Sequence, residues 1–295
     1  MSEHSPRRSG ISERPSRLTF ALRQFDSDRI ASLGFLFSDE AESDPWVLFH
    51  GTSGFNSEAI ETQGFSSLHQ PVSAEDIRRV IDLYGRTKWC GESGGGFIVL
   101  SPFSLDYDLR DERRSPLFFA ETSLRALLYA SRDFAGGEKL RALRIAFRDL
   151  DDYLADAHVR DRHSALMRAQ FDALRRLDAP PSTIEAARPI EIDLDWLRHE
   201  VTGMADLRRT ADEAWWRHDH GVVYALRMTT DDLADMCWNS FMGIEVTATI
   251  SSARIVEKVV VPPDYAVDVF RDNGEHFLRR QNSGLLAALR GCTDR

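Results

Sequence analysis

The sequence predicts an α+β fold, because it contains both short apolar runs typical of strands and segments of helical pattern. Trp46 to Phe49 are all large and apolar, lie between Asp44-Pro45 and a glycine-containing turn, and are too few to form a helix. Apolar residues at helical spacing predict mainly helix over residues 150–177. Further strands are predicted at 117–120, at 222–228 and within 251–261.

Length and composition favour one globular domain. A chain of 295 residues with 42% hydrophobic and 28% charged residues can bury a sizeable core. Residues 1–17 are rich in Ser, Arg, Glu and Pro and are expected to be disordered. Residues 18–295 are expected to form a single domain with a helical insertion at about 148–219. The net charge of -10 argues against broad electrostatic binding of nucleic acid, which depends on clustered Lys and Arg.

The sequence has no apolar run of the roughly 18 residues that a membrane span needs, and its N-terminus lacks the apolar core of a signal peptide. A soluble chain made in the cytoplasm is therefore expected, with no membrane partner. Cys90, Cys237 and Cys292 are isolated, which predicts neither a disulfide framework nor a zinc site. His218 and His220 are two residues apart, but their spacing places no third ligand, so we expect no metal.

The first candidate motif is His50-Gly51-Thr52, which follows the apolar run 46–49. We expect His50 to lie at the end of that strand, where a ring nitrogen can bind a ligand hydroxyl group. Gly51 lets a ligand approach the backbone closely enough to pair with its N–H and C=O. The alternative is an ordinary turn at a strand end, in which the histidine has no function.

The second candidate motif begins with the strand Leu117 to Ala120 and continues into a helix that Thr122 or Ser123 can cap. Tyr129 lies about two turns into this helix. The alternative is a tyrosine that merely packs on the apolar face of a core helix.

The third candidate is Glu245, at the head of a late strand within residues 241–250. Another strand follows and ends at Val261, with Lys258 near its middle. Taken alone, Glu245 would be an exposed strand residue. Its carboxylate gains a functional meaning only together with the first two motifs.

These three segments resemble the ADP-ribosyltransferases of the diphtheria-toxin and poly(ADP-ribose) polymerase type. That family has a His-Gly-Ser/Thr motif, and then a Tyr-Phe-Ala-Asp strand whose following helix carries a tyrosine nine residues after the alanine. Ala120 and Tyr129 have this separation. The third motif of the family is a glutamate at the head of a late strand, which Glu245 matches.

The resemblance implies a split pair of small antiparallel sheets that grip NAD, with flanking helices. It covers most of residues 46–135 and 220–262. It departs at Phe118, where the family often has a tyrosine, and at residues 140–220, a long insertion without a counterpart.

The resemblance also implies a role for each matching residue. His50 would hold the adenosine-side ribose of NAD, Gly51 would bind the carboxamide through its backbone, and Thr52 would help to position His50. Tyr129 would stack on the nicotinamide ring. Glu245 would stabilise an oxocarbenium-like centre and orient the incoming nucleophile. The residues expected to bind NAD are His50, Gly51, Thr52, Phe118, Phe119, Ala120 and Tyr129, and those expected to be catalytic are Glu245, His50 and Tyr129.

The implied function is mono-ADP-ribosyl transfer from NAD to a macromolecule, with protein favoured over nucleic acid because the chain is acidic. Its size and polar tail fit a bacterial toxin or injected effector, secreted into a host or target cell, with an immunity or chaperone protein as a partner. Two alternatives are an NAD glycohydrolase with water as the acceptor and a catalytically silent module that binds NAD or acts as a scaffold. A third, RNA 2′-phosphotransfer to NAD, normally requires several basic residues around the site.

Local signals predict the elements around these motifs. Asn56 and Gly64 bound a short helix as its N-cap and its stop. A second helix is expected to begin at residues 73–76. Residues 143–147 alternate as in a strand, and residues 238–241 are expected to form a loop that faces the acceptor substrate.

The remaining segments predict loops and packing. Residues 91–96 are rich in glycine but lack the Gly-Lys-Ser/Thr of a phosphate-binding loop, which favours a flexible loop. Residues 104–115 are polar and predict a surface loop near the cofactor cleft. Trp215 and Trp216 are expected to pack the helical insertion onto the core, and residues 285–289 to end the chain in a helix.

Overall fold

The computed structural model describes residues 20–66, 72–87, 117–239 and 243–265. These residues form an α+β structure with two mostly antiparallel sheets and flanking helices, which confirms the predicted fold class at this level. Several predicted features lie outside the described residues, namely the tail 1–17, the loops 91–96 and 104–115, the helix 285–289, Cys90 and Cys292.

Helices separate the first three strands of the described chain, most of the described helices then follow one another between residues 123 and 216, and the last four strands come after them. The strands are β1 (Ala21–Arg23), β2 (Val47–Ser53), β3 (Leu117–Phe119), β4 (Gly221–Arg227), β5 (Met236–Asn239), β6 (Gly243–Val246) and β7 (Ile255–Val261). The helices are α1 (Ser27–Leu33), α2 (Asp39–Ser43), α3 (Ser57–Gln63), α4 (Ala74–Thr87), α5 (Ser123–Tyr129), α6 (Glu138–Ala155), α7 (Ala157–Arg176), α8 (Pro181–Ala186), α9 (Leu194–Thr202) and α10 (Ala205–Trp216).

The large sheet has the strand order β1-β7-β4-β2, in which β1 and β7 are parallel and the other pairs are antiparallel. β4 lies inside this sheet and is almost completely buried, as expected for a central strand. All of β2 pairs with β4, from Val47 opposite Arg227 to Ser53 opposite Gly221. The expectation that His50 ends its strand is therefore wrong. Pairing with β4 extends the strand beyond the apolar run, so His50 lies in its middle.

The small sheet has the order β3-β6-β5 and is antiparallel throughout. Trp238 and Asn239 belong to β5, so the predicted loop over residues 238–241 is wrong for its first half. These residues are extended because β5 pairs with β6, with Met236 opposite Val246. Such a pairing is a tertiary contact that the local sequence does not reveal.

A backbone bridge joins the two sheets. The N–H of Phe49 donates to the carbonyl of Ala120 at 2.9 Å, and the N–H of Ala120 donates to the carbonyl of Phe49 at 2.7 Å. Both sheets also contribute to one apolar cluster, which we call the inter-sheet core. Its members include Leu48, Val222, Tyr224 and Leu226 from the large sheet and Phe119, Ile244 and Val246 from the small sheet.

Helix α5 packs on the opposite face of the large sheet. A Cβ atom on Gly51 would lie 1.7 Å from the carbonyl oxygen of Ala126, and one on Gly221 would lie 1.9 Å from that of Ala130. Glycine at both positions therefore lets the helix backbone rest directly on the strands. Thr122, one of the two predicted caps, begins the helix by accepting a backbone hydrogen bond at 3.3 Å.

Helices α6, α7, α9 and α10 share a separate apolar core with α4. The predicted strand at residues 143–147 is wrong, because this segment lies inside α6. Five residues are too few to distinguish the period of a helix from the alternation of a strand. The helical stretch thus begins at Glu138, before the predicted boundary near residue 148. The buried residues at helical spacing are Leu143, Ala146, Phe147 and Leu150.

Two side chains differ from their predicted roles. Gly64 ends α3 as predicted, but the Asn56 side chain does not cap this helix and donates to the hydroxyl of Thr52 at 2.8 Å. Trp215 packs against two arginine guanidinium groups, whereas Trp216 is 71% exposed and does not pack the helices onto the core. The second predicted helix is present as α4.

Gly51→Ala tests the close approach of α5 to β2. The added methyl group would overlap the carbonyl of Ala126, so we expect the free energy of unfolding to fall by about 3 kcal/mol. Urea denaturation followed by circular dichroism measures this change. Gly203→Ala is the matched control, because its new Cβ would meet its nearest atom at 3.4 Å. We expect the control to change stability by less than about 1 kcal/mol. Equal effects of the two substitutions would contradict the close approach.

Candidate functional site

The backbone pairing between β2 and β3 stops after the isolated bridge between Phe49 and Ala120. We call the region around Gly51 and Phe118, beyond this bridge, the cleft. If the ladder continued, the next hydrogen-bonded pair would join Gly51 and Phe118. Strand alternation directs the N–H and C=O of Gly51 to the same edge of β2 as those of Phe49. The backbone of Gly51 therefore presents one donor and one acceptor to the cleft.

The imidazole of His50 lies at the start of this cleft. Its Nδ1 is 3.0 Å from the carbonyl oxygen of Phe118, which can only accept, so Nδ1 carries a proton and donates it. Burial lowers the pKa of His50, and the hydrogen bond to Phe118 partly opposes this shift. The ring is therefore neutral at physiological pH. Its Nε2 bears a lone pair that can accept a hydrogen bond from a ligand hydroxyl group.

Two phenylalanine rings flank this imidazole. The ring centroids of His50 and Phe65 are 5.1 Å apart with an interplanar angle of 76°. Those of His50 and Phe119 are 5.3 Å apart at 52°. Phe119 is buried in the inter-sheet core, so it supports His50 and does not itself face a ligand. Phe65 is equally buried, and nothing in the local sequence marks it as part of a site.

Glu245 shares one face of the small sheet with Phe118. The strand register places Glu245 directly opposite Phe118 on β3 and opposite Cys237 on β5. Its neighbours Ile244 and Val246 belong to the inter-sheet core, so the half-buried Glu245 side chain points to the other face. The structure thus brings this carboxylate beside the residue whose carbonyl binds the imidazole.

The face that carries Glu245 continues across the bridge to the side of the large sheet covered by α5. Ala120 belongs to the apolar cluster beneath α5, and Phe118 lies on the same side of β3 because alternate residues share a face. Gly51 lies on this side of β2 as well, directly under α5. Gly51, Phe118 and Glu245 therefore border the cleft from one side.

Tyr129 and Thr52 lie next to these residues but make other contacts. Tyr129 is one helical turn beyond Ala126, the residue that rests on Gly51. Its ring packs against Phe134, with centroids 5.1 Å apart. The hydroxyl group of Thr52 accepts a hydrogen bond from the side chain of Asn56, so Thr52 holds the start of α3. Of the predicted residues, the contacts and strand register above place His50, Gly51, Phe118, Ala120 and Glu245 around the bridge between the sheets.

Glu121 is a second carboxylate close to the cleft. Its place in the second motif is the one sequence feature that connects it with the candidate site. Its Oε2 accepts from Arg125 at 3.2 Å, and its Oε1 accepts from the indole N–H of Trp238 at 3.4 Å. These contacts link the turn between β3 and α5 to strand β5. A carboxylate paired in this way is suited to holding the strands in place.

A second polar cluster lies at the far end of β2. The hydroxyl group of Ser53 and Nδ1 of His218 are 2.7 Å apart, and both residues are buried. Burial lowers the pKa of His218, and nearby His220 and Arg132 lower it further. In the described part of the chain, no three His, Cys, Asp or Glu side chains are grouped as a metal site would require. The structure supports a packing role for His218, at the entry to β4.

The cleft combines groups that suit a ligand with an amide, hydroxyl groups and a flat ring. The backbone of Gly51 can pair with an amide, Nε2 of His50 can accept from a hydroxyl group, and the ring of Phe118 can stack. The carboxylate of Glu245 can stabilise positive charge that develops on such a ligand. This set of groups is suited to breaking a glycosidic bond through an oxocarbenium-like transition state.

Comparison of the chain with models of protein families, curated protein sequences and solved structures finds no match. The likeness to ADP-ribosyltransferases therefore rests on the three sequence motifs alone. None of the described helices is long and apolar enough to cross a membrane.

Buried His218 makes stability depend on pH. Its pKa is lowered in the folded chain, so between that pKa and about 6.5 the unfolded chain binds more protons than the folded one. Stability is then lost as the pH falls from about 6.5 towards the folded pKa. We expect His218→Gln to show a smaller decrease in melting temperature between pH 7.5 and pH 5.5. Exposed His199→Gln is the control and should keep the wild-type decrease. The same decrease in all three proteins would contradict this role of His218.

Proposed function

We propose that this chain is a mono-ADP-ribosyltransferase, which cleaves NAD between nicotinamide and ribose and transfers ADP-ribose to a macromolecular acceptor. The proposal depends on the interrupted ladder between β2 and β3. Gly51 lies at its open edge, His50 binds the carbonyl of Phe118, and Glu245 lies opposite Phe118 on the neighbouring strand. These residues belong to different motifs of the sequence and match the three motifs of that family. Their convergence supports the proposal, because the motifs are far apart in the chain.

In this proposal NAD binds by completing the interrupted ladder. The carboxamide of nicotinamide offers one donor group and one acceptor, which match the C=O and N–H of Gly51. The nicotinamide ring stacks between the side chains of Phe118 and Tyr129. Phe118 lacks the hydroxyl group that the family often has there, so it contributes stacking without a hydrogen bond. Nε2 of His50 accepts a hydrogen bond from a ribose hydroxyl group.

Glu245 is assigned the chemical role. Positive charge develops on the ribose as the bond to nicotinamide breaks, and a carboxylate that is hydrogen-bonded to the ribose hydroxyl groups stabilises it. The same carboxylate can then orient or deprotonate the incoming nucleophile. Glu245 is half-buried, and partial exclusion of water strengthens its electrostatic effect.

The acceptor in this proposal is a protein, because a chain of net charge -10 is a poor partner for a polyanion. The polar composition of residues 1–17 favours a toxin or effector. An immunity or chaperone protein would then be a natural partner. Transfer of ADP-ribose to protein in a cell lysate would separate the proposed transferase from an NAD glycohydrolase, for which water is the acceptor.

Nicotinamide release from NAD tests the proposed function. We expect Glu245→Gln to lower the release rate by about 100-fold or more, because the developing charge loses its carboxylate. His50→Ala should lower kcat/KM by about tenfold, since one hydrogen bond to the ribose is lost. Chromatographic detection of nicotinamide, with the purified chain in the presence and absence of cell lysate, measures both effects.

Glu191→Gln is the matched control, because Glu191 is exposed and lies in the helical part of the chain. It should keep the wild-type rate. Lysate-stimulated release with transfer of labelled ADP-ribose to protein supports a transferase, whereas release without transfer supports the glycohydrolase. An absence of release, together with no effect of NAD on the melting temperature, would refute the enzymatic proposal and leave a silent module.

A further inference from the structure

The segment from α3 to Phe65 contacts both sheets on the side of the inter-sheet core. We call residues 57–65 the α3 strap. Its helix lies over the large sheet, and its last residue pairs with the chain that follows the small sheet. The N–H of Phe65 donates to the carbonyl of Ile250 at 2.8 Å, and the N–H of Ile250 donates to the carbonyl of Phe65 at 3.0 Å.

One carboxylate attaches the α3 strap to the large sheet. Glu61 Oε1 accepts from the hydroxyl group of Tyr224 at 2.9 Å and from the ammonium group of Lys258 at 2.5 Å. Tyr224 is fully buried, and the side chains of Glu61 and Lys258 are only 24% and 14% exposed. Removing one partner from such a group is costly, because the remaining charge stays partly buried. We call the contacts of Glu61 with Tyr224 and Lys258 the tether. The tether fixes α3 over strands β4 and β7.

Tyr224 also places the tether next to the candidate site. It is the direct cross-strand partner of His50, and Lys258 is its partner on the other side. The three side chains therefore form a row across one face of the large sheet. The ring of Phe65 touches Tyr224 at a centroid distance of 5.6 Å and touches His50 at 5.1 Å.

The backbone turn at Gly64, directly after α3, determines where the side chain of Phe65 lies. Gly64 has a φ of +84°, which L side chains rarely adopt, and its Cβ would lie 2.4 Å from the carbonyl oxygen of Ile250. The chain thus turns sharply out of α3 and directs Phe65 into the inter-sheet core, where it is 2% exposed. There its ring contacts Phe119 of the small sheet at 5.6 Å, as well as residues of the large sheet.

We propose that Phe65 is a positioning residue, through which the α3 strap holds the His50 imidazole in the orientation that turns Nε2 towards the cleft. The hydrogen bond to Phe118 fixes only one nitrogen of the ring and leaves rotation about that bond possible. The edge contacts with Phe65 and Phe119 restrict this rotation. The role in catalysis rests on the proposed function, since it assumes that Nε2 binds a ribose hydroxyl group.

Phe65→Leu tests this inference, because it keeps an apolar side chain and removes the aromatic edge. We expect water to reach the imidazole, so that the pKa of His50 rises towards its ordinary value and the Nδ1-protonated tautomer becomes less dominant. Nitrogen-15 NMR of the histidine side chains measures both quantities without any substrate. The acidic limb of the pH profile for nicotinamide release should move to higher pH, and kcat/KM should fall by about tenfold.

Phe55→Leu is the matched control, because Phe55 is close in sequence but 40% exposed. It should leave the titration of His50 and the rate unchanged. Glu61→Gln is the second variant, which loosens the tether while keeping the side-chain shape and the inter-sheet core. It should make the Nδ1-protonated tautomer of His50 less dominant by a smaller amount, and this tautomer ratio provides the test if Phe65→Leu does not fold.

The outcomes separate the inference from the proposed function. A wild-type titration and tautomer ratio of His50 in both Phe65→Leu and Glu61→Gln overturns the positioning role, even if the wild-type chain cleaves NAD. If the titration shifts in the variants, while the wild-type chain releases no nicotinamide and NAD does not change its melting temperature, the positioning of His50 is supported and the proposed function is refuted. A shifted titration together with the shifted pH profile supports both.

Discussion

The backbone bridge between Phe49 and Ala120 is the interaction on which the candidate site depends. Two hydrogen bonds of this kind contribute only about 1 kcal/mol each in net terms, because both groups would otherwise bind water. The apolar surroundings make the bridge specific, since Phe49 is fully buried and Ala120 is 6% exposed. An unpaired donor or acceptor at this place would cost more than the bond contributes. The sheets are therefore fixed at one point and are free to diverge beyond it.

The backbone N–H and C=O of Gly51 are left for a ligand, because the imidazole of His50 takes the place of Gly51 as the partner of Phe118. The carbonyl of Phe118, which a continued ladder would pair with Gly51, accepts its hydrogen bond from His50. Gly51 retains its N–H and C=O at the open edge, while its missing side chain lets α5 cover the strand from above. A ligand that pairs with Gly51 restores the missing step of the ladder. The same contacts that hold the sheets together thus define the shape of the site.

The polar groups in the interior fix the positions of structural elements more than they raise the free energy of unfolding. The contacts of Glu61 with Tyr224 and Lys258 are half-buried, and the desolvation of such an ion pair offsets much of its Coulombic attraction. Its consequence is the fixed place of α3, and through α3 that of Phe65. The helical part uses a different solution, in which arginine side chains stack on Trp215 and remain partly in solvent. The sheets and the helices thus have separate cores with separate kinds of polar support.

The sequence by itself determined the features that depend on neighbouring residues. The apolar run before His50, the Thr122 cap and the glycine stop of α3 are present because their physical causes act within a few residues. The same local reasoning failed at residues 143–147, where a short window could not distinguish two periods. Only the tertiary structure decided that Glu245 lies opposite Phe118 and that Phe65 flanks the imidazole of His50. Strand register and ring packing join residues that are distant in the chain, and no local pattern encodes those contacts.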